Sequence, residues 1–233
     1  MPLTTGVILA RGGSKGIPRK NLMDFCGKPL LAWSIQQASA SKAVDSVFVS
    51  SDDAEILGCA ERFGASPILR PGELAGDRSS SEDALLHAVG HIEGSLGKPL
   101  EVVVFLQPTS PLRTPADIDE AVGTFTRDGA DSLFSAATLD DCCIWKKDAD
   151  SLESLTFDYR NRGRRQDRQP LYLENGSIYV FKPRILRECR NRLGGRISIH
   201  LMEYWKSYEI DKPEDVEICE FFMRKRILGG TDR

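Results

Sequence analysis

Short apolar runs of strand length alternate along this chain with segments whose apolar residues recur at helical spacing, and that alternation most narrows what it can fold into. Residues 6–10 form a first strand, Gly-Val-Ile-Leu-Ala. A helix starts near Pro29 with Leu30, Leu31, Ile35 and Ala38 on one face. Residues 44–50 read as the second strand, after which Ser51 and Asp52 offer an N-cap for a helix holding Ile56, Leu57 and Ala60, with Gly64 as its C′ residue. Residues 67–69 are a short strand and 70–78 a loop. Ser80 or Ser81 then caps a helix with Leu85, Leu86 and Val89 inward. Residues 101–106 are the most apolar strand, as expected in the middle of a parallel sheet covered on both faces. Thr114 and Pro115 open another helix, with proline at its first position and Asp117 in its first turn. Strand followed by helix, repeated, defines an α/β chain with a mostly parallel, Rossmann-like sheet and right-handed crossovers.

The rhythm breaks at Ala137. Residues 138–172 hold short apolar pieces and then five arginines in nine residues, 160–168, without a helical period. They read as an inserted arm within a single domain, 1–233, not as a second core. Alternation resumes with strands at 176–181, 197–202 and 207–210 and a last helix from Pro213. Ligands of open α/β sheets bind beyond the carboxyl ends of the strands. The loops 11–21, 70–81, 107–113 and 207–212 are therefore expected to converge on one cleft.

With 233 residues, 41% of them hydrophobic, the chain can bury a core and is not a disordered one. It lacks the ~20-residue apolar run that would cross a bilayer. Met1 leads almost directly into the first strand without a basic n-region, so no signal peptide is expected. The net charge of −3 argues against a nucleic-acid coat. These features lead us to expect a soluble, cytoplasmic protein with neither membrane nor nucleic-acid partners. The six cysteines contain no C-x-x-C pair, and a chain this long does not need bridges.

Chemistry concentrates after the first strand, in Ala10-Arg11-Gly12-Gly13-Ser14-Lys15-Gly16-Ile17-Pro18-Arg19-Lys20-Asn21-Leu22. Three glycines let backbone N–H groups approach an anion, and Arg11, Lys15, Arg19 and Lys20 add positive charge. The loop matches neither G-x-x-x-x-G-K-[ST] nor G-x-G-x-x-G. A polyphosphate is the natural guest. Elsewhere His87 and His91 sit four apart without a third ligand, His200 is alone, and no G-x-S-x-G elbow occurs.

The first loop resembles the signature loop of the acylneuraminate cytidylyltransferases, the CMP-sialic acid synthetases. The resemblance continues in register over about 210 positions through Val49-Ser50-Ser51-Asp52, Leu69-Arg70-Pro71-Gly72-Glu73-Leu74-Ala75, Gln107-Pro108-Thr109-Ser110-Pro111-Leu112-Arg113, Arg164-Arg165-Gln166-Asp167 and Glu174-Asn175-Gly176-Ser177-Ile178-Tyr179. It implies a nucleotidyltransferase that uses CTP and Mg²⁺ to activate a nine-carbon 2-keto-3-deoxy acidic sugar. By that resemblance Arg11, Gly13, Ser14, Lys15 and Lys20 hold the triphosphate, with Asn21 near the nucleotide, while Arg70 and Ser81 select cytosine. Gln107, Arg165 and Tyr179 belong to the sugar, and Arg11, Lys20 and Asp211 to catalysis.

The resemblance also implies that the arm dimerises the protein and carries Arg165 to the partner's site, where it meets the sugar carboxylate or phosphate. The family's D-x-D metal segment stands here as Glu209-Ile210-Asp211, with Glu209 in place of the first Asp. On a strand the two carboxylates point to one side, and Glu209, one methylene longer, can also bind Mg²⁺ through a water. Asp211 is also a candidate N-cap before Pro213. Other nine-carbon acids (legionaminic, pseudaminic, or KDN) and a catalytically silent homologue are the alternatives; KDO fits the first loop less well. The general base is unassigned.

Overall fold

The computed structural model describes residues 3–76, 79–139, 142–164 and 169–229. A seven-stranded sheet runs β11 (Ile197–Leu201), β7 (Ser132–Leu139), β10 (Leu171–Phe181), β6 (Val102–Leu106), β1 (Thr4–Leu9), β4 (Ser46–Ser51), β5 (Ser66–Leu69). The ladders β6–β1, β1–β4, β4–β5 and β11–β7 are parallel; β10 is antiparallel to both of its neighbours. The most apolar segment of the sequence is indeed the central strand, and all five residues of β6 are buried. Fully burying a Val, Leu or Phe side chain contributes roughly 1.5–3 kcal/mol, which anchors the sheet at its centre.

Helices cover both faces. On one, α1 (Leu30–Ala40), α2 (Ala54–Arg62) and α4 (Pro115–Arg127) pack Leu31, Ile35, Ile56, Ile118 and Phe125 on Ile8, Val49, Val104 and Val180. On the other, α3 (Ser81–Leu96) and α5 (Pro183–Cys189) set Leu85, Val89, Ile92 and Leu186 against Val7, Val103, Phe105 and Phe181. A third cluster joins Leu30, Trp33 and Leu112 to Ile210 and to Cys219 of α6 (Pro213–Phe222). A short ladder, β2 (Asp24–Phe25) with β3 (Lys28–Pro29), leads into α1.

The starts of α3 and α4 match the sequence reading, and that of α2 differs. The cap of α2 is Asp53, not Ser51 or Asp52: its carboxylate accepts from the amides of Glu55 (2.9 Å) and Ile56 (3.1 Å). Ser80 caps α3 through the amide of Asp83, and Thr114 with Asp117 closes a capping box on α4. Leu57 and Leu86 are only half-buried.

The predicted strand at 207–210 is absent. Tyr204–Ser207 is a 3₁₀ turn, fastened where Lys206 Nζ donates to Asp117 Oδ1 at 2.7 Å, and the next residues hold to the sheet end by one bond, Ile210 N to Thr109 O at 2.8 Å. Asp211 does not cap α6 either. Asp215 reaches back to accept from the amides of Asp211 and Lys212, leaving the Asp211 carboxylate for other contacts.

The inserted segment leaves and re-enters the sheet at paired positions, Leu139 and Leu171. Between them β8 (Trp145–Asp148) and β9 (Ser151–Ser154) make an exposed hairpin with its own ladder.

Candidate active site

The strand ends meet at a cleft of about 540 Å³. Its lining draws on all four of the expected loops: Arg11, Ser14, Lys15, Lys20 and Asn21 from the first, Arg70 and Ser79–Ser81 from the second, Gln107–Thr109 from the third, and Asp211 from the fourth. Phe105, the penultimate residue of the central strand, forms part of its floor.

The first loop is tied down at each turn. Asn21 is buried and donates through Nδ2 to the Arg11 carbonyl at 3.0 Å, closing the loop on itself. Lys20 Nζ donates to Ile210 O at 2.7 Å and lies 3.0 Å from Asp211 Oδ1, which joins the loop to the segment bearing the acids. Two of the glycines serve the protein's own packing. A Cβ on Gly12 would lie 2.7 Å from Asp53 Oδ2, and one on Gly16 2.1 Å from the Asp211 carbonyl oxygen. Only Gly13 faces open space. The sequence reading assigned all three to an anion; Gly12 and Gly16 also allow close approach of neighbouring chain, and Gly16 lines the cleft. Arg19 differs as well. It lies outside the cleft lining and pairs with Asp53 (2.8 Å) and Glu55 (2.6 Å) at the start of α2.

Arg70 is buried, donating through Nε to Ser50 Oγ at 3.1 Å and through Nη2 to Ser50 O. Burial lowers its pKa, nearby Arg11 lowers it further, and Asp52 opposes both. Such a cation at the cleft wall gains from an anionic or acceptor-rich ligand. Gln107 donates through Nε2 to Gly176 O at 2.9 Å. Behind it stands Arg113, fully buried, which donates to Ser177 Oγ (3.1 Å), Ser34 Oγ (2.9 Å) and the Gln107 carbonyl. Burial pushes this guanidinium down to about 9, against the pull of Asp117 and Glu209. Arg113 and Asp53 had no assigned role in the sequence reading, and Asp52 had only that of a helix cap. For the two acids the signal was present in the Ser50-Ser51-Asp52-Asp53 run that spans the end of β4, because parallel neighbours place their trailing loops side by side.

Three predicted site residues stand outside the cleft lining: Gly13, Tyr179 and Glu209. Tyr179 is buried, stacked on Phe105 with ring centroids 5.8 Å apart, and its hydroxyl donates to Glu174 Oε1. Burial and the Glu174 contact both raise its pKa. Glu209 packs against Gly176, where an added Cβ would meet its Oε1, beside the Gln107 amide. Burial pushes the Glu209 carboxyl up to about 7, with Asp211 adding to the rise and Lys20 and Arg113 opposing it. Arg165 lies outside the described residues. His87 and His91 stack at 6.4 Å, and among the described residues no group of three His, Cys, Asp or Glu side chains could hold a metal by itself.

A mostly parallel sheet with helices on both faces and a basic, loop-built cleft at its strand ends defines a Rossmann-like α/β fold with an anion-binding cleft. The structure titled CMP:2-keto-3-deoxy-manno-octonic acid synthetase complexed with CTP has the same fold, with a TM-score of 0.71 at 18% identity, covering 97% of this chain and all of the other. A family model described as Cytidylyltransferase matches residues 5–229, and the chain belongs to that family. It is 34% identical over 230 residues to the N-acylneuraminate cytidylyltransferase of Oncorhynchus mykiss, across 97% of this chain and 52% of that protein. It is also 34% identical over 223 residues to the pseudaminic acid cytidylyltransferase of Campylobacter jejuni subsp. jejuni serotype O:23/36 (strain 81-176), across 94% of this chain and 95% of the other. The chain thus spans about half the length of the N-acylneuraminate enzymes it matches and nearly all of the pseudaminic acid enzyme.

Proposed function

We propose that this chain transfers CMP from CTP to the anomeric hydroxyl of a nine-carbon 2-keto-3-deoxy acid of the sialic acid type, releasing pyrophosphate. The hydroxyl oxygen forms a bond to the α-phosphorus while the bond to the pyrophosphate oxygen breaks, and the hydroxyl proton leaves to a base that is unassigned. Such a transfer depends on positioning and charge neutralisation more than on a covalent nucleophile. The observation that carries the reading is the convergence of Arg11, Lys15, Lys20 and Arg70 on one cleft with Ser81, Gln107 and Asp211. Arg11, Ser14, Lys15 and Lys20, with the Gly13 backbone, bind the triphosphate; Asn21 closes the loop beneath the nucleotide; Arg70 and Ser81 face cytosine; Gln107 faces the acid. Tyr179 supports the sugar side through the ring of Phe105.

The carboxylates suit Mg²⁺, which takes one or two protein carboxylates and fills the remaining positions with phosphate oxygens and water. Asp211, exposed in the cleft, would hold it with Glu209 alongside. When bound, the ion supplies charge neutralisation at the phosphates. The exposed arm hairpin supports a homodimer in which Arg165 acts on the partner's substrate. The near full-length match to a pseudaminic acid enzyme favours one second reading, a pseudaminate-type acid as the acceptor.

Pyrophosphate release from CTP with Mg²⁺ tests both readings over a panel of N-acetylneuraminate, KDN, legionaminate, pseudaminate and KDO, with ATP, GTP and UTP as controls. Release with CTP and one nine-carbon acid is expected. Release with another nucleotide, or with KDO alone, overturns the proposal.

A further inference from the structure

We propose that Arg19 and Asp53 are positioning residues that hold a left-handed kink in the first loop and thereby aim Lys20 into the cleft. The inference rests on the CTP reading for its functional consequence. Arg19 has φ 56° and ψ 28°, a conformation that only glycine adopts without penalty. The kink is where the chain turns out of the 11–18 stretch into the 3₁₀ turn Lys20–Leu22, and the amides of Leu22 and Met23 both donate to the Arg19 carbonyl, at 2.9 and 3.2 Å. The residue immediately after it is Lys20, whose ammonium reaches Ile210 O and Asp211. A different backbone at position 19 would redirect Lys20 and move it off the acid.

The arginine side chain holds this conformation from outside the cleft. Nη1 donates to Asp53 Oδ2 and Nη2 to Glu55 Oε2, so the guanidinium forks across the first turn of α2. Asp53 is the stronger partner. Its side chain is 18% exposed against 77% for Glu55, and exposed pairs contribute little. The other oxygen of Asp53 caps α2, and Gly12 comes up against the same carboxylate. One acid thus fixes a rigid helix end, the start of the loop and the kink near its finish. Strained backbone held by its surroundings is a recurrent property of functional loops, and here the surroundings can be named.

The experiment separates the kink from the charge. Arg19→Ala keeps the left-handed penalty and loses the fork; Arg19→Gly loses the fork but removes the penalty. Asp53→Asn keeps a good helix cap and weakens the pairing with Arg19, so the fold survives. For wild type, these three variants and the Arg19→Gly/Asp53→Asn double variant, one measures Tm, KM for CTP, kcat for pyrophosphate release, and hydrogen exchange at the Leu22 and Met23 amides.

Arg19→Ala is expected to lower kcat/KM for CTP on the order of tenfold at nearly unchanged Tm and to speed exchange at both amides. Arg19→Gly should stay within about threefold of wild type. Asp53→Asn should behave like Arg19→Ala in the wild-type background and be silent in the Arg19→Gly background. An Arg19→Gly protein as impaired as Arg19→Ala overturns the proposal, as does an Asp53→Asn effect that persists once Arg19→Gly is in place. A wild type that turns over no CTP defeats the functional reading alone, because the exchange comparison still decides whether the clamp holds the kink.

Discussion

The first loop and the inserted arm are both polar, arginine-rich departures from the sheet, yet they are built in opposite ways. In the loop, charged and small residues are spent on internal ties: Gly12 N to Asp52 at 3.0 Å, Arg19 to the start of α2, Asn21 to Arg11, Lys20 to Ile210. In the arm, β8 and β9 pair only with each other, and the rings of Trp145, Phe157 and Tyr159 cluster at 5.3–5.4 Å on a surface where Leu152 and Leu155 are more than half exposed. Arg160 and Arg162 lie over the Tyr159 and Phe157 rings. A loop that satisfies itself is poised for a small ligand. A hairpin that leaves rings and leucines exposed among the described residues is the surface the proposed homodimer would use.

The comparison breaks first at Lys20. If the loop's ties exist to present charge, Lys20→Met should lower kcat for pyrophosphate release on the order of 10²–10³-fold while leaving Tm within a degree or two. A fall in Tm with unaltered kcat would make Lys20 a structural tie only. Arg113→Leu should do the reverse. It strips hydrogen bonds from the buried Ser34 and Ser177 hydroxyls and the Gln107 carbonyl, with an expected loss of about 3 kcal/mol in urea unfolding. A loss below about 1 kcal/mol would mean that the third loop does not depend on this network.

The arm supplies the next test. Replacing Trp145 and Leu152 together by serine should weaken self-association by roughly tenfold in sedimentation equilibrium, about 1.4 kcal/mol, without moving the core's unfolding transition. Association unaltered by the double change would direct the search for an interface elsewhere, and unaltered activity in a dissociated protein would remove the trans role of Arg165.

How much could be read from the chain follows the same division. The sheet and its helices were legible because their signals are local: a five-residue apolar run, a Thr-Pro-x-Asp start, a glycine at φ +89° after α2. The convergence of the loops was legible through topology. What stayed hidden was decided by contacts distant in sequence. Ser51 and Asp52 were the expected caps of α2, but Asp53 caps it, with its other oxygen held by Arg19, 34 residues away. Arg19 looked like one more phosphate cation until Asp53 and Glu55 were seen to hold it. Residues 207–210 are strand-like in composition, but Lys206 binds Asp117 and draws the preceding residues into a 3₁₀ turn. Tyr179 was assigned by resemblance and Glu209 by its place two residues before Asp211, yet Tyr179 stacks on Phe105 and Glu209 packs against Gly176.

The smallest effect is expected at the opposite end of the sheet, where it serves as the control for both regions. Asp131, just before β7, accepts from Lys182 Nζ at 2.9 Å and from the Arg196 amide at 3.1 Å, and it pairs with Arg184. The Lys182 hydrogen bond leads the causes that hold its carboxyl below the ordinary value of 3.8. A carboxyl depressed in the folded state contributes stability that is present above its unfolded pKa and disappears as the pH falls through the folded one. Asp131→Asn should therefore lower Tm by a small, constant amount at neutral pH, and the gap to wild type should close as the pH drops below 3.8. Because these partners lie at the strand ends remote from the cleft, KM for CTP should not move at any pH where both proteins are folded. A kinetic effect there would mean that the cleft senses the far end of the sheet, and the Lys20 and Arg19 variants would then have to be reinterpreted as changes in global packing. A Tm gap that widened on acidification would instead show that Asp131 is not held ionised by Lys182 and its neighbours.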